Sequence, residues 1–214
     1  MGKIKSRKWL ALLMTIIVIL SSGSLVLAKE NKGWHKNQTG WYYTNDNGNR
    51  VTGPQKINNI NYYFDNNGYL SSGWKYYNCV WHYYGGKDVG MKYYWQKIDG
   101  YWYYFGKEGA MRYGWQEING EWYYFNKSSG HMLYGFQVID GNLYYLGGAN
   151  DGAMKTGWFR PDGYHWYYAF SNGHMAVGSH YIDGQTHHFT DTGLWIGSDE
   201  ITAFYQWNYT QSFS

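Results

Sequence analysis

The sequence predicts an all-β protein, a solenoid of stacked β-hairpins. Three observations support this fold class. One unit recurs every 20–21 residues, four copies carry a two-residue Asp-Gly or Asn-Gly turn signal, and Tyr, Trp and Phe flank that turn. A fixed short period is typical of repeat architectures, and aromatic residues favour strands.

Pairs of tyrosines mark the copies of the unit. They lie at 42/43, 62/63, 83/84, 103/104, 123/124, 144/145 and 167/168, and His187-His188 stands where an eighth pair is expected. An isolated two-stranded hairpin is marginal in water, so each copy must stack on its neighbours. We therefore expect about eight hairpin repeats over residues 34–197.

The turn signals predict the pairing inside each hairpin. Asp-Gly and Asn-Gly favour the two-residue type I′ turn, which needs positive φ at both positions. With Asp99-Gly100 as the loop, Trp95 pairs with Tyr104, and alternation along the strands places Trp95, Trp102 and Tyr104 on one face. The same signal recurs at Asn119-Gly120, Asp140-Gly141 and Asp183-Gly184.

The composition excludes several classes of protein. Aromatic residues make up 22% of the chain and charged residues only 15%. Disordered chains are depleted in aromatics, and the single cysteine, Cys79, cannot form a disulfide framework. The repeats contain no motif for a metal, a cofactor or a catalytic residue, so we predict no enzyme.

Residues 1–28 are predicted to be a secretion signal. Basic residues between Lys3 and Lys8 precede an apolar run from Trp9 to Leu20. That run is shorter than the roughly 18–20 residues a membrane-spanning helix needs, which favours a cleaved signal over an anchor. Residues 29–33 are expected to form a short spacer, and residues 198–214 a capping segment after the repeats.

Removal of that signal leaves a chain close to neutral. Four of the 18 Lys and Arg residues and none of the 15 Asp and Glu residues lie within 1–28, so 14 cationic side chains stand against 15 anionic ones in the remainder. No basic patch predicts binding to nucleic acid or, after cleavage, to a membrane. We expect a secreted protein.

The repeat resembles the choline-binding, or cell-wall-binding, repeat of Gram-positive surface proteins. Its clearest copies read WQKIDGYWYYFGKEGAMRYG at 95–114 and WQEINGEWYYFNKSSGHMLYG at 115–135. The resemblance implies a left-handed solenoid that holds choline between successive repeats. It also implies attachment to the Gram-positive cell wall surface through the choline, or phosphocholine, of teichoic and lipoteichoic acids.

Choline binding requires aromatic walls, because its quaternary nitrogen has no N–H to donate and is recognised by cation–π attraction. Tryptophans seven residues apart supply two walls, and the resemblance assigns the third to the second tyrosine of the following pair. The implied cages are Trp34, Trp41 and Tyr63; Trp74, Trp81 and Tyr104; Trp95, Trp102 and Tyr124; and Trp115, Trp122 and Tyr145, with Met91, Met111 and Met132 as polarizable flanks.

Three copies depart from this pattern. We expect no cage in the second, a weak or absent one in the sixth, and a weaker one in the seventh, where a protonated histidine would repel a cation. The departures are Pro54 and Asn61 in the second copy, Phe136 and Leu143 in the sixth, and Trp158 with Trp166, eight apart, and His188 as third wall in the seventh.

Two other functions stay open at this stage. Related repeats bind glucans, so a carbohydrate-binding module is one alternative. A remnant targeting module of a wall hydrolase is the other. An adhesin role, a host-protein partner or a homodimer would add to choline binding rather than replace it.

Overall fold

The computed structural model describes residues 29–199, in which every named element is a β-strand. The predicted signal 1–28 and the predicted cap from residue 200 onward lie outside the described residues. Seventeen strands are described; the first sixteen pair in order as eight antiparallel hairpins, and the last joins the eighth. The predicted solenoid of stacked β-hairpins is confirmed.

The hairpins follow one another along the chain. The first four are β1 (Gly33–Lys36) with β2 (Trp41–Thr44), β3 (Gly53–Ile57) with β4 (Ile60–Phe64), β5 (Gly73–Tyr77) with β6 (Val80–Tyr84), and β7 (Tyr94–Ile98) with β8 (Tyr101–Phe105). The last four are β9 (Gly114–Ile118) with β10 (Glu121–Phe125), β11 (Gly135–Ile139) with β12 (Asn142–Leu146), β13 (Gly157–Phe159) with β14 (Tyr167–Ala169), and β15 (Gly178–Ile182) with β16 (Gln185–Phe189), to which β17 (Trp195–Ser198) adds.

Turn chemistry sets the register of the hairpins. Asp99 and Gly100 both have positive φ, 50° and 88°, as a type I′ turn requires. Across that turn Trp95 pairs with Tyr104, as the sequence predicts. Positive φ at both central positions recurs at Asn119-Gly120, Asp140-Gly141 and Asp183-Gly184.

The core lies between successive hairpins rather than inside one. The last residue of the second strand is buried in all eight of them: Thr44, Phe64, Tyr84, Phe105, Phe125, Leu146, Ala169 and Phe189. A backbone hydrogen bond also links each hairpin to the connector that follows the next one. In this way the Met111 N–H donates to the Trp81 carbonyl at 2.8 Å, and the Met132 N–H to the Trp102 carbonyl at 2.7 Å.

Gly130 shows why a glycine recurs in the second turn of the unit. Its φ is +73°, and a Cβ added there would stand 2.4 Å from the Cε of Met111. A side chain at this position would therefore displace the methionine of the preceding repeat, as well as strain the backbone. The glycine keeps the methionine next to the aromatic rings described below.

Candidate aromatic cages

Five hairpins carry two tryptophans on one face, and their indoles meet edge to face. The ring centroids are 6.2–6.4 Å apart and the planes cross at 78–89°. Two rings at this angle form the adjoining walls of a corner. The pairs are Trp34/Trp41, Trp74/Trp81, Trp95/Trp102, Trp115/Trp122 and Trp158/Trp166.

The following hairpin supplies a third ring, but it is not the predicted one. The centroid of Trp74 lies 4.9 Å from that of Tyr103, and the same distance recurs at the other three predicted cages. The approaching rings are Tyr62, Tyr103, Tyr123 and Tyr144. The prediction of Tyr63, Tyr104, Tyr124 and Tyr145 as third walls is therefore wrong.

Alternation along the strand explains this correction. Tyr104 pairs across its own hairpin with Trp95, so it shares a face with that tryptophan, whose ring lies 5.3 Å away. Tyr103 lies on the opposite face, which meets Trp74 of the preceding hairpin. Each cage thus joins the tryptophan face of one hairpin to the opposite face of the next.

Two of the cages form cavities at the surface. The first has a volume of about 370 Å³ and the second about 400 Å³. Trp81 is 38% exposed and Trp122 is 41% exposed, so a small ligand can reach both indoles from solvent. The first cavity is lined by Trp74, Trp81, Tyr103, Met111, Ser128 and Ser129; the second by Trp115, Trp122, Tyr144, Met154, Ser171 and Asn172.

A methionine flanks each of these cavities, and a turn two hairpins further on lines its mouth. Met111 lines the first cavity, and Met154, which the sequence analysis did not assign to a cage, lines the second. The signal for Met154 is its connector position, which matches that of Met111 in its own repeat. The other assigned flanks differ: Met132 packs beside Trp95 and Trp102, whereas Met91 lines the polar cavity of the second copy together with Asn61 and His82.

The N-terminal cage already holds a cation. The Nζ of Lys87 lies 4.7 Å from the ring centroid of Trp41 and 5.7 Å from that of Trp34. Tyr62, the third ring, donates a hydrogen bond from its hydroxyl to the Lys87 carbonyl at 2.7 Å, which holds the turn over the cage. The Lys87 ammonium therefore occupies the place where a ligand cation would bind these two indoles.

The Trp95/Trp102 cage is intermediate between the two open cages and the N-terminal cage that Lys87 fills. Lys97, the cross-strand partner of Trp102, places its Nζ 5.6 Å from that ring and 3.4 Å from the Oδ1 of Asn150. This lysine interacts with one indole only, so it restricts the cage without filling it. Met132 and Tyr123 complete the surroundings.

The three departing copies each have a distinct geometry. In the second, Asn61, the buried His82 and Glu108 line a polar cavity of about 490 Å³. In the sixth, the predicted weak or absent site is instead a cavity of about 620 Å³ beside Phe136 and Leu143.

The seventh copy is closed by its neighbours. The third ring beside Trp158 is His187, at 4.9 Å, and not the predicted His188, for the same reason of strand alternation. Trp195 stacks edge to face on Trp158 and donates its indole N–H to His187, while the Arg160 guanidinium lies 4.5 Å from the Trp166 ring. This site is therefore filled by protein side chains.

Charge in the cages comes from the residues at the mouth and not from the third ring. Burial raises the pKa of all four phenols, which stay protonated and neutral: Tyr62, Tyr103, Tyr123 and Tyr144. Within residues 29–199, no group of three or more His, Cys, Asp and Glu side chains is arranged to hold a metal ion. In the same span there is no helix long and apolar enough to cross a membrane.

Comparison with known proteins places these cages in a family context. The family model of a choline-binding repeat matches residues 95–134, and that of a cell wall binding repeat matches 55–70 and 156–175. No curated protein matches the chain by sequence.

Three solved structures from Streptococcus pneumoniae are similar to this chain. Choline binding protein F is 34% identical with a TM-score of 0.70, over 78% of this chain and 58% of that one. CbpJ is 30% identical with a TM-score of 0.67, over 73% and 56%. The choline-binding domain of CbpL is 28% identical with a TM-score of 0.56, over 78% and 87%.

The chain matches under 60% of the length of the first two of these proteins. The family-model matches at 95–134 and 156–175 nevertheless fall on hairpins that carry paired tryptophans. By its repeats, its fold and these structural relatives, the chain belongs to the choline-binding, or cell-wall-binding, repeat proteins.

Proposed function

We propose that this protein binds the choline groups of cell-wall teichoic and lipoteichoic acids, and that it is held on the Gram-positive surface in this way after secretion. One observation carries the proposal. The two open cages, Trp74/Trp81/Tyr103 with Met111 and Trp115/Trp122/Tyr144 with Met154, each present three rings and a thioether around a cavity that opens to solvent.

The chemistry of these walls suits a quaternary ammonium. Indole and phenol faces attract a cation electrostatically, at about 0.5–2 kcal/mol per ring. The walls offer no carboxylate, and the mouths carry only the neutral Ser128, Ser129, Ser171 and Asn172. A ligand is therefore recognised by its charge and its methyl groups, and no carboxylate favours an ammonium ion that carries an N–H.

Repetition compensates for the weakness of a single cage. Binding a small cation at three rings leaves an affinity near the millimolar range once the cost of association is deducted. Two or more cages on one rigid solenoid facing a polymer of repeated choline groups gain a factor of about 10²–10⁴ by avidity. A surface protein can be retained on the wall by such contacts alone.

The structural relatives support this assignment. Choline binding protein F (CbpF) has been crystallised in the presence of a tetrasaccharide-pentapeptide analogue of peptidoglycan. It has also been crystallised in complex with ipratropium. The proposed role for the described repeats is binding and not catalysis.

A titration that follows the methionine methyl groups tests the proposal. In protein labelled with ¹³C-methyl methionine, choline should shift the signals of Met111 and Met154, which line the two open cages. The uncharged isostere 3,3-dimethylbutan-1-ol is the matched control and should bind at least about tenfold more weakly, because it lacks the cation. Equal binding of the two ligands, or no shift with choline, would overturn the proposal.

Two variants locate the effect. Trp122→Ala should abolish the Met154 response and leave Met111 unchanged, whereas Trp81→Ala should do the reverse, since each indole belongs to one cavity. The same titration with an isomalto-oligosaccharide addresses the glucan alternative. A saccharide that shifts both methyl signals where choline does not would establish the carbohydrate-binding function instead.

A further inference from the structure

The cavity of the sixth repeat differs from the cages in both size and charge. It lies between β11–β12 and the seventh hairpin, under the turn of the eighth, and has a volume of about 620 Å³ against about 370 and 400 Å³ for the open cages. The sequence analysis expected little here because the tryptophans are lost. The structure shows a larger space and not a collapsed one.

Its walls correspond one by one to those of the Trp115/Trp122 cage. Phe136 takes the place of Trp115 and Leu143 that of Trp122, while Tyr167 and Met175 correspond to Tyr144 and Met154. The Phe136 and Tyr167 centroids are 4.9 Å apart, so the approach of the third ring is preserved. Only the second indole is missing, and its smaller replacement widens the site.

Two valines extend the apolar surface of this cavity. Val138 is 72% exposed and Val177 is 43% exposed, and both line the site together with Phe136. The position of Val138 is occupied by Lys97 and Glu117 in the two preceding tryptophan repeats. A contiguous exposed apolar surface of this kind is typical of a binding site, whereas apolar residues exposed singly are not.

The mouth carries a carboxylate. Asp191 lines the cavity at the turn position that Ser171 occupies in the Trp115/Trp122 cage. Among residues 29–199, Asp191 forms no salt bridge, so its charge faces the cavity mouth and solvent. Thr192 lies beside it and adds a hydroxyl.

We propose that this cavity binds a protonated organic amine that bears an apolar group larger than the methyl groups of choline. The ammonium N–H donates to the Asp191 carboxylate, and the apolar group packs on Phe136, Leu143 and Tyr167. Charge-assisted hydrogen bonds between N–H⁺ and a carboxylate are shorter and stronger than neutral ones, and a quaternary nitrogen cannot form them. The site therefore prefers the opposite kind of ammonium ion from the open cages, and the proposal is independent of choline binding there.

His174 lies in the same cavity and would oppose a cation if it were protonated. All titrations are therefore compared at one pH of about 8, at which an alkylammonium ion keeps its charge. The other titratable side chains that line the cavity are the Asp191 carboxylate and the Tyr167 phenol; burial raises the pKa of Tyr167, so the phenol stays neutral.

The methionine methyl signals again provide the readout, because Met175 lines this cavity whereas Met111 and Met154 line the open cages. The probes are 2-phenylethylammonium, its N,N,N-trimethyl analogue and 3-phenylpropionate. We expect 2-phenylethylammonium to shift Met175 at a concentration about fivefold lower than its trimethyl analogue does, a difference typical of one partly exposed charged hydrogen bond. The anionic 3-phenylpropionate should not shift it.

Two variants make the result specific. Asp191→Asn keeps the size of the side chain and should remove the preference for the N–H ammonium without changing the Met111 or Met154 response to choline. Ser171→Asp places a carboxylate at the mouth of the Trp115/Trp122 cage and should give Met154 a new response to 2-phenylethylammonium. Equal affinity of wild type and Asp191→Asn for this probe, or a Met175 signal that no probe shifts, would overturn the proposal, while failure of choline alone would not.

Discussion

The Trp34/Trp41 cage and the Trp74/Trp81 cage have the same three rings but opposite occupancy. In both, the indoles cross at nearly a right angle and a tyrosine of the next hairpin lies 4.9 Å from the first indole. The second is an open cavity, whereas the first contains the ammonium group of Lys87. Aromatic walls alone therefore do not determine whether a site is free for a ligand.

The difference arises in a turn two hairpins away. Six residues separate the fully buried Tyr84 from Met91, and six also separate Phe125 from Met132. Lys87 is the third residue of the first stretch and Ser128 the third of the second, and each lies at its cage. A single turn position thus sets the charge that a ligand meets at the mouth.

The largest effect should come from transferring the lysine. Ser128→Lys places an ammonium over the open Trp74/Trp81 cage, and we expect the choline affinity there to fall at least about tenfold, because an internal cation competes at high effective concentration. The Met111 methyl signal measures this affinity. Ser128→Met introduces a long uncharged side chain as the control, and an equal loss with this control would attribute the effect to steric blocking instead of charge.

The second prediction concerns the corrected third ring. Tyr103→Leu should lower choline affinity at Met111 about fivefold, because one cation–π wall of about 1 kcal/mol is lost. Tyr104→Leu is the matched control one residue away, and it should leave the Met111 response unchanged, since Tyr104 packs on Trp95 of its own hairpin. Loss of binding in the Tyr104 variant only would restore the original assignment.

This pair of tyrosines also shows what the sequence can and cannot predict. The period, the turn signals and the alternation of side chains suffice to predict the hairpins and the pairing of Trp95 with Tyr104. The same alternation excludes Tyr104 from the preceding cage, so the third-ring assignment taken from the family resemblance could have been tested against it. The role of Lys87 is different, since it depends on a contact with Trp34 across two intervening hairpins. No local pattern carries that information.

The third prediction reverses the first. Lys87→Met keeps a long flexible side chain but removes the charge. We expect the affinity of choline for the Trp34/Trp41 cage to rise about threefold. The change is modest because the lysine is partly solvated and its attraction to the rings is about 1 kcal/mol or less. The ¹⁹F signals of 5-fluorotryptophan at positions 34 and 41 would report binding. Lys87→Arg retains the cation and should show no gain. A gain in both variants would mean that the lysine does not compete through its charge.

The smallest effect concerns stability at the polar site of the second repeat, where His82 takes the place of the tyrosine third ring. Its imidazole is 5% exposed and stacks on Tyr77 at 4.1 Å, and its Nδ1 has no hydrogen-bond partner among residues 29–199. Burial lowers the pKa of His82, and the backbone of Val80 and, to a smaller extent, the Glu108 carboxylate oppose this shift only in part. The unfolded chain, with an ordinary histidine pKa of about 6.5, therefore binds the proton more readily than the folded chain does.

His82 should consequently make the protein less stable in acid. Its contribution is fully present above about pH 7 and is lost as the pH falls through about 6.5 toward the lower folded-state value. His82→Gln removes this titration, so the free energy of unfolding of the variant should decline less steeply between about pH 7.5 and pH 5 than that of the wild type. Denaturant unfolding at both pH values measures the difference. Parallel curves for the two proteins would show that the buried imidazole is protonated as easily as in the unfolded chain. The polar site would then accommodate a positive charge on the protein itself, whereas the open cages receive their positive charge from a ligand.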